Sequence, residues 1–77
     1  MYDISIILPT FKRKDLTIRS AISIIKQEGD MTWEMFIVGD EDPLFEEVKA
    51  LLLDKAQEVE EGGNKIHFTN LHPHQHS

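Results

Sequence analysis

Three short runs rich in β-branched and aromatic residues, Asp3–Pro9, Trp33–Gly39 and Lys65–Thr69, alternate with two stretches whose apolar residues return every two to four positions. Short apolar or alternating runs suit strands and a recurrence near 3.6 suits a helix, so the chain reads as strand, helix, strand, helix, strand. Units of this kind with short links close by right-handed crossovers into parallel sheets. The expected class is therefore α/β, with three parallel strands and two helices forming one half of a doubly wound sheet, the first strand beside the second.

The first strand, ending at Leu8 or Pro9, shows no polar alternation beyond Ser5 and reads as buried on both faces. The first helix is expected from Lys14 to Gln27, with Leu16, Ile18, Ala21, Ile22, Ile24 and Ile25 on its apolar side and Gly29 ending it. Its isoleucines lower intrinsic propensity, so it depends on a sheet to cover them. The second strand runs into the acidic loop Asp40-Glu41-Asp42-Pro43, where Asp42 is expected as N-cap and Pro43 as first helical residue. Leu44, Val48, Leu51, Leu52, Ala56 and Val59 then mark a helix to Glu61, Leu53 being its one exposed leucine, and Gly62-Gly63 stops it. Trp33 and Phe36 are expected in the core. Nothing in the chain remains to cover the second edge of the first strand, so the fold reads as truncated. Residues 1–70 form the expected domain and 71–77 a His-rich flexible tail.

A chain of 77 residues makes one small domain, since at this size only ~60% of the unfolded surface is buried. Its 14 acidic against 8 basic residues, net −6, argue against a nucleic-acid partner, whose affinity comes largely from neutralised phosphates. With no cysteine there is no disulfide, thiolate metal site or thiol nucleophile. No apolar run approaches a membrane span and no leader opens the sequence, so a soluble, cytoplasmic protein is expected.

In an open parallel sheet, ligands bind beyond the carboxyl ends of the strands. Two segments meet there: Pro9-Thr10-Phe11-Lys12-Arg13 and Gly39-Asp40-Glu41-Asp42. Together with the helix ending near Gln27 and the Trp33-Glu34-Met35-Phe36-Ile37-Val38-Gly39-Asp40 strand, the Ile6-Ile7-Leu8-Pro9-Thr10-Phe11 segment resembles the amino-terminal part of family 2 glycosyltransferases, over roughly residues 3 to 69. The resemblance implies a GT-A fold that binds a nucleotide sugar, a UDP-sugar foremost. It implies that Pro9, Thr10 and Phe11 line a nucleoside pocket and that Asp40 accepts a hydrogen bond from the base. A carboxylate accepts and cannot donate, which suits a uracil-type N–H. Cations at Lys12-Arg13-Lys14, Arg13 among them, suit a diphosphate. The chain departs from the family in having Lys12 for the usual Asn, Gly39 for the first acid of a pair, and Glu41-Asp42 for Gly-Ser.

The resemblance also implies a divalent metal, Mg or Mn, in a full-length parent, where it would stabilise the departing diphosphate. The family's metal motif and catalytic base fall after the third strand, past Ser77, so no catalytic residue or metal ligand is assigned here. Asp40-Glu41-Asp42 spells Asp-x-Asp but follows the second strand, and reads as a look-alike. Residues 1–27 carry five bases and two acids, and 28–61 two bases and twelve acids, so ion pairs across the crevice are expected. Two other readings compete. One is a non-catalytic interaction module that forms a homo-oligomer through its exposed strand edge; the other is metal binding by His72, His74 and His76, which lack the orienting partners of a specific site.

Overall fold

The computed structural model describes residues 1–27 and 29–72. The order is β1 (Ile4–Pro9), α1 (Lys14–Ile25), β2 (Trp33–Asp40), α2 (Phe45–Glu61) and β3 (Lys65–Leu71). The strands form one parallel sheet in the order β1-β2-β3, with Ile6 opposite Met35 and Met35 opposite Ile66. The α/β class and the β1–β2 pairing follow the sequence pattern.

Both crossovers advance in the same direction across the sheet, and two right-handed crossovers of that kind put both helices on one face. Burial agrees with that geometry. Met35, Ile37 and Ile66 form the buried core with Ala21 of α1 and with Phe45, Val48, Leu52 and Val59 of α2, while Ile6, Leu8 and Phe68 pack against it. The alternate residues face away from the helices. Ile7 is 72% exposed, and Pro9, Thr69 and Leu71 are exposed as well.

This overturns the expectation that the first strand is buried on both faces: with both helices on one side, no second layer covers Ile7. Phe36 is corrected for the same reason. It lies on the uncovered face, half-buried, with its ring stacked on His67 at 4.3 Å between centroids and 7° between planes. His67 Nε2 lies 3.1 Å from Glu34 Oε1, and Ser5 Oγ donates to Glu34 Oε2 at 2.9 Å. Trp33, in the opposite register, does pack against the core, half-buried.

Helix α1 stops at Ile25, with Lys26 closing its last turn, two residues before the expected end. Helix α2 starts at Phe45 with Leu44 as N-cap, so Asp42 and Pro43 lie in a preceding turn in which Phe45 N–H donates to the Asp42 carbonyl at 3.1 Å. Of the three consecutive leucines only Leu52 is buried. Leu51 is more exposed than Leu53, and Phe45, absent from the expected apolar face, is buried instead. Gly63, at φ 95°, turns the chain out of α2, a conformation that suits glycine. Strand β3 extends to Leu71, so that residue belongs to the sheet and not to the tail. His72 follows it, exposed, and His74 and His76 lie outside the described residues.

Candidate functional site at the carboxyl ends of the strands

Three buried polar side chains, Thr10, Thr17 and Asp42, gather where the strands end. Asp42 is 3% exposed and Thr10 1%. The Thr10 hydroxyl donates to Asp42 Oδ2 at 2.5 Å, Lys12 N–H donates to the same oxygen at 3.1 Å, and Leu44 N–H donates to Oδ1 at 2.9 Å. One carboxylate thus ties the loop after β1 to the loop after β2 and to the approach to α2. Burial is the largest single influence on this carboxyl and works against its ionisation. The bonds from Thr10, Leu44 and Lys12, with the nearby Lys12 charge, outweigh it and hold Asp42 below the ordinary carboxylate value.

Asn70 of β3 completes the arrangement. Its Oδ1 accepts from Asp42 N–H at 3.1 Å and its Nδ2 donates to the Asp42 carbonyl at 3.3 Å. Gly39 allows this approach: a Cβ there would stand 2.6 Å from Asn70 Oδ1 and 2.7 Å from a ring carbon of Phe45. A side chain at position 39 would collide with both. Thr17 holds the start of α1 from within, its hydroxyl donating to the Arg13 carbonyl at 2.7 Å and reaching the Thr10 carbonyl at 3.3 Å. No buried side-chain nitrogen or oxygen among the described residues lacks a partner.

With Thr10 anchored, the chain turns through two left-handed residues, Phe11 at φ 49° and Lys12 at φ 59°. Such a conformation costs a non-glycine residue roughly 1–2 kcal/mol, which the bonds to Asp42 offset. The turn leaves Phe11 76% exposed. Beside it opens a cleft of about 360 Å³ lined by Pro9, Phe11, Lys12, Val38, Gly39 and Asp40. Pro9, Val38 and Asp40 belong to the uncovered register, so the cleft sits at the top of the open sheet face.

Of the residues marked by sequence, the structure brings Pro9, Phe11 and Asp40 together around this cleft. Thr10 lies beneath it with its hydroxyl committed to Asp42. Arg13 lines a separate, shallow cleft with Lys14, Asp15, Leu16, Arg19 and Leu44. Sequence reasoning missed Asn70, whose polar side chain in a late strand was the available signal, and it gave Asp42 only a capping role. Asp40 and Asp42 do not act as a pair, since Asp42 is turned into the protein, and no cluster of three metal-ligating side chains occurs among the described residues. The nearest ion pair to the one expected across the crevice lies elsewhere: Lys14 Nζ to Glu47 Oε1 at 3.7 Å, which joins α1 to α2 and not the end of β1 to the acidic loop after β2.

A larger cleft, about 470 Å³, lies near the amino ends of the strands among Ile4, Ile25, Met31 and Trp33. Among the described residues its lining holds one carboxylate, Asp30, and no cation. Among the described residues no helix is long and apolar enough to cross a membrane. No family model, curated protein or solved structure matches the chain.

Proposed function

We propose that this chain is the nucleotide-binding amino-terminal segment of a cytoplasmic glycosyltransferase that moves a sugar from a nucleoside diphosphate, a UDP-sugar foremost, to an acceptor. One observation carries the reading: the Thr10–Asp42 bond draws two loop tips together and leaves an exposed aromatic ring, Phe11, beside the Asp40 carboxylate in one cleft. A pyrimidine stacks on the ring while its imide N–H donates to Asp40. A charge-assisted bond of that kind contributes about 1.5–3 kcal/mol. Sugar transfer itself is assigned to no residue here. Under this reading a divalent metal would stabilise the departing diphosphate, and none of its ligands is assigned to a residue here.

The test is a titration of UDP followed by amide resonances. Binding moves Phe11, Lys12 and Asp40 first, and spectra unchanged at millimolar UDP reject the proposal.

The second reading, an interaction module that pairs with its own copy, is favoured by the open face and edge, where Ile7 lies bare beside Phe36 and Val38. Sedimentation that gives a dimer indifferent to UDP supports it, and a monomer at every concentration rejects it.

A further inference from the structure

We infer that Lys12 is the residue by which this cleft distinguishes a phosphorylated nucleoside from a bare one, an inference that rests on the nucleoside reading above. Three cations follow β1, and the structure separates them. Lys14 is engaged with Glu47 at 3.7 Å and Arg13 lines the shallow cleft beside α1. Lys12 alone of the three lines the cleft that holds Phe11 and Asp40.

Its backbone is tied in place. Lys12 sits in the left-handed turn at φ 59° with its N–H bound to Asp42, which fixes where its side chain begins at the edge of the cleft. Among the described residues no carboxylate lies within ion-pair distance of its ammonium group. The surrounding field makes this cation consequential. The chain carries net −6 and the adjoining loop is Asp40-Glu41-Asp42, so an anionic ligand meets general repulsion. Among the described residues the cleft presents one carboxylate and one ammonium, which fits a ligand with an N–H donor at one end and an anion at the other. Asp40 takes the first and Lys12 the second.

The experiment compares UDP with uridine by calorimetry at low and at moderate salt, in the wild-type chain and in Lys12→Met and Lys12→Arg. The expected result is wild-type preference for UDP of roughly fivefold at low salt, the upper end for an exposed ion pair, shrinking as salt screens it. Lys12→Met brings the two affinities together or reverses them, and Lys12→Arg keeps the preference. Wild type binding uridine as well as UDP, or Lys12→Met retaining the full preference, overturns the inference while leaving the nucleoside reading standing. Failure of wild type to bind either ligand removes the nucleoside reading and the inference with it.

Discussion

Asn70 grips Asp42 by the backbone at both ends, accepting from its N–H at 3.1 Å and donating to its carbonyl at 3.3 Å, so the third strand holds the residue whose carboxylate in turn holds the loop of the first. The cleft is therefore built by all three strands, although among the described residues its lining comes from the first two and the loop after β1.

Replacing Asp42 removes the acceptor for three donors at once. Asp42→Ala leaves the Thr10 hydroxyl and the Lys12 and Leu44 N–H groups without their partner. The expected loss is about 3 kcal/mol, because hydrogen bonds to a charged group contribute most when their removal strands buried donors. Thr10→Val keeps the shape and loses one bond, for roughly 1–2 kcal/mol. Urea denaturation of the two variants checks the order.

The same carboxylate sets an acid limit. Its folded value lies below its unfolded one, so its contribution is complete above the unfolded value, about 3.9, and is lost as pH falls through the lower folded value. Asp42→Asn carries no such group. The stability gap between wild type and Asp42→Asn should therefore be constant near neutrality and narrow only in strong acid. Denaturation curves taken from neutral pH downward measure it, and a gap that narrows already above pH ~5 contradicts the assignment.

Gly39→Ala tests the close approach of β2 to Asn70 and Phe45. The added methyl must displace the Asn70 carboxamide or the Phe45 ring. The expected cost is about 1–3 kcal/mol, accompanied by shifts at the Asn70 side-chain amide. Gly39→Asp, with a larger side chain in the same space, is expected to cost more.

The strand and helix order was legible because the apolar period changes cleanly between segments. What could not be read was which face of the sheet would be covered. Ile6 and Ile7 are the same residue type side by side, and only the shared direction of the two crossovers packs one against the core and bares the other. Asp42 shows the corresponding limit at the site. An acid before proline at a helix approach signals a cap, yet its partners Thr10 and Asn70 lie 32 and 28 positions away, beyond the reach of any local pattern. Pro9, Phe11 and Asp40 were placed together from sequence because Pro9 and Asp40 end adjacent parallel strands and Phe11 follows two residues after the first, so topology alone makes neighbours of them.

The bare side of the sheet offers a surface substitution with a divided outcome. Ile7→Lys removes little buried area and should change stability by less than about 0.5 kcal/mol. It places a charge on the open face beside Phe36, so any self-association through that face or edge weakens. Sedimentation across a concentration series reads the effect. A wild-type dimer untouched by the substitution moves the contact away from β1.

The Phe11 turn makes stability and binding separable. Phe11 is highly exposed and left-handed, so its side chain adds little to the core while its backbone carries strain. Glycine at this position relieves the steric cost but loses more entropy on folding, for a net gain of about 0.5–1 kcal/mol. Phe11→Ala retains the strain and removes only the ring. Under the nucleoside reading both variants lose the stacking surface, which contributes about 1–3 kcal/mol per base. Phe11→Gly is thus expected to melt higher than wild type and bind UDP more weakly, whereas Phe11→Ala weakens binding with the melting point almost unchanged. Equal UDP affinity in all three proteins would separate the exposed ring from ligand binding and return it to the open face as part of an apolar contact surface.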